Sequence, residues 1–256
     1  MNVMLRTILT LLVFSRASAF ASVEPVSQSQ QEKEQTQSQI NPKLFKHSLS
    51  GLYGISSIKH DVSQPYSDFD ALYSQAQKAQ LELETICKST ALLTNSHAIS
   101  VGVKSRQRAE TKIKTDLANN VNQITDLARA TIVSDDIESL VSTFELLEKQ
   151  ANIISVKNRF KKPAPSGYRD LNILVELPET KIIAEVQLHL AEIAKVKSGP
   201  EHDLYKQIQD IERGALSSNR AISEIENAKI EGLRRQSLDL YHYAWQPYIT
   251  TNIKAA

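Results

Sequence analysis

In residues 182–189 the chain alternates Ile182, Ala184, Val186 and Leu188 with Glu185, Gln187 and His189. A strand sends successive side chains to opposite faces, so this segment buries its aliphatic residues and aligns a carboxylate, an amide and an imidazole on the other surface. Such a row can accept a proton, orient a hydroxyl or hold a cation; a solvent-facing strand surface is the simpler alternative on spacing alone. A second acid, Asp126, stands at the entrance of an apolar run, residues 127–133. Aspartate is also a common turn former there. Strict alternation sets Ala128 on the face of Asp126 and Arg129 on the opposite one, unless the strand begins irregularly. Mg2+ takes one or two carboxylates and completes its shell with phosphates and water, so Asp126 with Glu185 makes a ligand set for it.

Between these acids lies a loop, residues 157–169, reading KNRFKKPAPSGYR. Lys157, Arg159, Lys161, Lys162 and Arg169 can hold phosphates, the prolines restrict the loop, Gly167 permits close backbone approach, and Tyr168 can stack on a base. The alternative is a solvated basic loop with an aromatic tucked into the core. Lys104, followed by Arg106, Arg108, Lys112 and Lys114, forms a second basic group. No GxxxxGK[ST] or GxGxxG stretch occurs, so side chains must do the phosphate binding.

The elements that must position these residues follow from periodicity. Phe69, Leu72, Tyr73, Ala76, Leu83 and Ile86 recur at helical spacing after the potential caps Ser67 and Asp68. Ile99, Val101 and Val103 alternate as a strand, residues 106–117 read as a charged helix, and residues 127–133 as a second strand. Ile137, Leu140, Val141, Phe144 and Leu147 supply the next helical stripe, and residues 153–157 a short strand. Residues 171–177 and 182–188 form a hairpin across Pro178-Glu179-Thr180, and the chain is helical from Ala191 with a break at Ser198-Gly199-Pro200. The fold class is α+β: a mixed, mostly antiparallel sheet flanked by helices.

Composition narrows the function classes. In 256 residues, 41% hydrophobic and 23% charged, a packed core is expected, while a net charge of +1 supplies no global attraction to DNA or membrane. Cys87 is the only cysteine, so neither an internal disulfide nor a multi-cysteine metal site can form. Residues 1–21 combine Arg6, an apolar run at residues 8–14 and Ala19-Phe20-Ala21, in the manner of a signal peptide and too short to span a bilayer. Residues 22–43, rich in Gln, Ser and Glu, read as a flexible linker. The catalytic domain is expected over residues 44–215 and a helical extension over 216–256. Within that extension Tyr241, Tyr243, Trp245 and Tyr248 are expected to pack the last helix, with a homo-oligomer interface as the alternative.

Taken in order, Lys104-Ser105, Asp126-Leu127-Ala128-Arg129, Ser166-Gly167-Tyr168-Arg169-Asp170 and Glu185-Val186-Gln187 resemble the ordered motifs of RelA/SpoT-type alarmone synthetases. The resemblance runs from about Ile99 to Lys206 and is closest in layout to the short, single-domain members. It implies a nucleotidyltransferase-like fold and a Mg2+-dependent transfer of the β,γ-pyrophosphate of ATP to the ribose 3′-hydroxyl of GDP or GTP, in the cytoplasm. By the same resemblance, Asp126 would hold the metal, and Glu185 would ligate it or act as general base. Tyr168 would stack on guanine. Lys104, Lys112, Arg129, Lys161 and Lys162 would contact the triphosphate or adenine, and Arg159, Arg169, Asn172, Gln187 and His189 complete the expected substrate-binding set. Gly102, Thr131, Asn172 and His189 depart from the family's usual arginine, arginine, histidine and arginine. Those departures bear on the acceptor, for which adenosine nucleotides or tRNA 3′ ends are the alternatives, or on a degenerate nucleotide-binding module. The family's hydrolase centre is not expected, because His60-Asp61 and His202-Asp203 lack the further histidines such a centre needs.

Overall fold

The computed structural model describes residues 46–250; the signal-like segment and the linker lie outside the described residues. Helix α1 (Leu49–Gly54) and strand β1 (Ile58–Lys59) lead to α2 (Phe69–Leu93), then β2 (Ser96–Ser100), α3 (Arg106–Asp116), β3 (Arg129–Ser134), α4 (Ile137–Gln150) and β4 (Asn152–Asn158). The hairpin β5 (Leu171–Glu176) and β6 (Ile183–Leu190) follows, then α5 (Ala191–Ser198), α6 (Pro200–Ser217) and α7 (Glu224–Thr250). The six strands make one sheet in the order β1-β4-β5-β6-β3-β2. Only β3 and β6 pair in parallel; the other neighbours are antiparallel, giving the mixed sheet expected.

Local chemistry explains the long helices. Asp68 caps α2 by accepting from the Ala71 amide at 2.8 Å, and Asp136 caps α4 by accepting from Ser139 at 2.7 Å. Both satisfy amides that a helix start leaves without partners. The α2 stripe of Leu72, Ala76, Ala79, Leu83 and Cys87 and the α4 stripe of Leu140, Val141, Phe144 and Leu147 are buried together with Ile132, Val186 and Leu188 of the sheet. Thr143 of α4 lies 3.2 Å from Ser96 of β2, which pairs with Ser134 of β3 at 2.8 Å, so this helical layer covers the face bearing the even-numbered residues of β3. The odd-numbered face, carrying Arg129, Thr131, Glu185 and Gln187, is left for chemistry.

Two strands begin differently from expectation. The first ends at Ser100 instead of running through Val103, and Ile99 and Val101 are 49% and 50% exposed. β2 is an edge strand, so its alternating aliphatics flank the polar face instead of entering the core. Strand β3 begins at Arg129, after a bend at residues 127–128 in which Leu127 and Ala128 are both fully buried. This irregular start restores Arg129 to the polar face. The break before α6 occurs at Gly199, as the Ser-Gly-Pro signal predicts.

The last helix belongs to the same core. Tyr241, Trp245 and Tyr248 of α7 are buried with the sheet residues, whereas Tyr243 is 73% exposed. Pro247 is accommodated within the final turns of α7. Among the described residues no helix is long and apolar enough to cross a membrane.

Candidate active site

Glu185 sits on β6 opposite Arg129 of the parallel strand β3 and Leu174 of the antiparallel strand β5. Its Oε1 accepts two amide donors, Asn172 Nδ2 at 2.5 Å and Gln187 Nε2 at 2.6 Å. Asn172 pairs with Gln187 across the β5–β6 ladder, so all three groups share one face. The carboxylate borders a cavity of about 250 Å³ lined also by Val101, Arg129, Thr131, Gln187 and Lys197. Arg129 Nε is buried with no hydrogen-bond partner, a donor that an anionic ligand in the cavity can satisfy.

Buried amides hold this corner of the sheet. Gln80 of α2 accepts from the Arg129 amide at 3.0 Å and donates to the Arg129 carbonyl at 3.1 Å, standing in for a missing strand neighbour. Gln64 does the same at the start of β6, accepting from Ile183 N at 2.9 Å and donating to the carbonyls of Ile183 and Ile124 at 2.8 Å each. Each side chain satisfies backbone groups that burial would otherwise leave costly.

Asp126 is 7% exposed and ion-paired to two lysines, Lys104 Nζ at 2.7 Å and Lys112 Nζ at 3.0 Å, both on Oδ2. Burial opposes its charge, but the lysines outweigh burial and hold it below the ordinary carboxylate value. Lys104 and Lys112, expected on substrate phosphates, are thus engaged by Asp126. Its Oδ1 is buried without a partner. Glu185 N donates to the carbonyl of Ala128, two residues from Asp126, at 3.1 Å. Among the described residues no group of three or more His, Cys, Asp or Glu side chains is gathered for a metal ion. A partnerless buried carboxylate oxygen, tied to the strand of a second carboxylate through the Ala128–Glu185 backbone contact, nevertheless fits Mg2+, which brings phosphates and water as its remaining ligands.

The tyrosine loop closes the other end. Tyr168 is half-buried; its hydroxyl donates to Asp170 Oδ2 at 2.8 Å and meets His189 Nε2 at 2.6 Å. Arg159 Cζ lies 5.4 Å and Lys197 Nζ 5.6 Å from its ring centre, within reach of the π system. Burial pushes Asp170 up to about 6, against the attraction of Arg159, which approaches Oδ1 to 2.8 Å, and the hydrogen bond from Tyr168. Burial also drives His189 well below its usual value, so a neutral imidazole meets the tyrosine. Gly167, at φ +83°, lets the loop pass beneath α7: a Cβ there would stand 3.0 Å from Leu238 Cδ1 and 3.2 Å from Tyr241 Cβ. Tyr241 completes the nest with its ring 5.6 Å from that of Tyr168 and its hydroxyl donating to buried Glu201 at 3.0 Å.

The fold thus gathers Arg129, Glu185, Gln187, Asn172, Tyr168, His189 and Arg159 around one face, with Asp126, Lys104 and Lys112 clustered beside the bend that precedes β3. Lys161 and Lys162 stand exposed on the loop. Arg169 does not join them. Odd and even positions diverge here, so Tyr168 and Asp170 turn to the site while Arg169 donates to the Phe160 carbonyl at 2.8 Å and lies 4.9 Å from the Trp245 ring centre. Sequence reasoning missed Lys197, Gln64 and Gln80, and gave Asp170 no role beyond its place in the tyrosine motif. Gln80 and Lys197 carried a usable signal, since each continues a buried helical stripe, four residues after Ala76 and Ile193 respectively.

Residues 101–210 match the family model described as the region found in RelA / SpoT proteins. A (p)ppApp synthetase toxin, Tas1 of Pseudomonas aeruginosa strain UCBPP-PA14, is 25% identical over 133 residues, 52% of this chain and 29% of the toxin. The match therefore spans under a third of that relative. A crystal structure of the Type VI effector Tas1 with its immunity protein aligns at TM-score 0.51 and 21% identity, covering 68% of this chain and 96% of that one. Small alarmone synthetase 1 of Bacillus subtilis bound to its product pppGpp aligns at TM-score 0.51 and 13% identity, covering 73% and 96%. The two structures share the fold of this chain. The residues that match this region found in RelA / SpoT proteins hold the polar face from Val101 to Lys197.

Proposed function

We propose that the chain is a pyrophosphokinase that moves the β,γ-pyrophosphate of ATP to the ribose 3′-hydroxyl of a purine nucleotide, with GDP or GTP as acceptor. The observation that carries the proposal is Glu185 at the cavity wall, with Oε1 bound by two amide donors. In this reading Glu185 takes the 3′-hydroxyl proton. The acceptor oxygen forms a bond to the β-phosphorus of ATP, the bond from that phosphorus to the bridging α,β oxygen breaks, and AMP leaves with the electron pair. Arg129 meets phosphate oxygens through its unpaired Nε, and the exposed Lys161 and Lys162 of the loop supply further cations for them. Tyr168 and Arg159 receive a base. Asp126 Oδ1 and Glu185 would hold Mg2+, which supplies charge neutralisation at the phosphates when bound.

A second acceptor has its own support. The toxin matched over 133 residues is named a (p)ppApp synthetase, and Asn172 and His189 depart from the usual family residues beside the tyrosine. Incubation with ATP, Mg2+ and a mixture of GDP, GTP, AMP, ADP and tRNA separates the readings. A 3′-pyrophosphorylated guanosine product in excess is expected; a dominant adenosine or tRNA product would transfer the assignment to that acceptor. Absence of transfer to every acceptor would reject the activity.

A further inference from the structure

Lys197 comes from α5, outside the strands and loop that supply the rest of the site. It is a cavity wall residue whose Nζ donates to Gln187 Oε1 at 2.6 Å. Gln187 in turn donates through Nε2 to Glu185 Oε1 at 2.6 Å, where Asn172 also donates. The order of charges along this chain fixes its direction. An ammonium can only donate and a carboxylate can only accept, so a reversed Gln187 amide would set its carbonyl against Glu185 and its NH2 against Lys197. Both contacts would be repulsive, and one orientation survives.

We propose that Lys197 is a positioning residue: by fixing the Gln187 amide it commits Glu185 Oε1 to two amide donors, so that Oε2 alone is presented to the acceptor hydroxyl. The inference rests on the reading of Glu185 as proton acceptor. It makes α5 a working part of the site, although this helix contributes no group to the transfer itself. The 5.6 Å separation of Nζ from the Tyr168 ring centre brings the same cation beside the base-binding end, coupling base entry to the carboxylate.

The test uses the full chain with Lys197→Met, which keeps the aliphatic stem and removes the charge, Lys197→Arg, which restores a donor, Gln187→Ala, and the double variant Lys197→Met/Gln187→Ala. Lys197→Met should lower kcat about tenfold, the effect of losing one hydrogen bond to a charged group, with the acceptor KM little changed. Lys197→Arg should recover most of the rate. In the Gln187→Ala background Lys197→Met should cost nothing further, since the relay is already broken. A full additional loss in that background, or a change confined to KM, would overturn the inference in favour of direct substrate contact. A second readout is independent of turnover. The Gln187 side-chain amide protons should be protected from solvent exchange in the wild type and lose protection in Lys197→Met while the backbone spectrum is retained. Unchanged protection would overturn the relay even in a protein active on GDP, whereas protection lost as expected in a protein inactive on every acceptor would reject the activity and leave the relay standing.

Discussion

Asp126 and Asp170 are both buried carboxylates beside cations, yet their pKa values are pushed in opposite directions. Asp126 has two lysines on one oxygen and stays charged, below the ordinary carboxylate value. Asp170, fully buried, faces one arginine, a tyrosine hydroxyl and a neutral histidine, and burial pushes it up to about 6. One end of the site is thus held by charge, the other by packing and hydrogen bonding under α7. Two lysines in contact with Asp126 outweigh its burial, whereas Arg159 and the more distant Lys197, opposed by Glu185, do not outweigh the burial of Asp170.

The contrast can be broken most forcefully at the lysines. Lys104→Met leaves Asp126 with one partner in a buried setting, and stability should fall by roughly 3 kcal/mol, read as a lower urea midpoint. An unchanged midpoint would mean that Lys112 alone carries the acid. The packed end responds to shape instead. Gly167→Ala should cost about 1–2 kcal/mol for a β-carbon in the left-handed region, and crowding against Leu238 and Tyr241 should raise the acceptor KM by displacing Tyr168. An unaltered KM would separate the α7 contact from substrate binding.

The smallest expected effect is the pH dependence, and its sign differs between the two acids. The folded protein binds the Asp170 proton more tightly than the unfolded chain, so this group's contribution is full below about 4 and is lost as pH rises through about 6. Asp126 contributes above the ordinary carboxylate value, and that contribution disappears as pH falls through its lowered folded value. Melting temperatures from pH 3 to 7, a range of about four units around the carboxylate value, should show the advantage of wild type over Asp170→Asn shrinking with rising pH. Its advantage over Asp126→Asn should instead grow from acid conditions to a plateau. Parallel curves for the two variants would contradict the opposite tuning.

The sheet face was readable because period-two alternation makes no exception in β6: Glu185, Gln187 and His189 face one way as the spacing predicts. Arg129 was not readable, since its orientation depends on a bend at residues 127–128 that buries Leu127 and Ala128 together. Counting cations in the loop grouped Arg169 with Arg159, yet neighbouring positions diverge and Trp245, far along the chain, captures Arg169. Lysines near Asp126 could be counted, but their engagement by that acid is a tertiary fact. The contribution of α7 was hidden for the same reason: Tyr241 meets Tyr168 only after the helix returns across the loop.

The central claim is that Glu185 accepts the proton during pyrophosphate transfer. Glu185→Gln keeps the shape and the amide-rich surroundings while removing the basic oxygen, so single-turnover transfer from ATP to the preferred acceptor tests it most directly. The expected result is a fall of about 10²–10⁴-fold in the transfer rate with nucleotide binding and melting temperature retained. Transfer by Glu185→Gln at the wild-type rate would contradict the account.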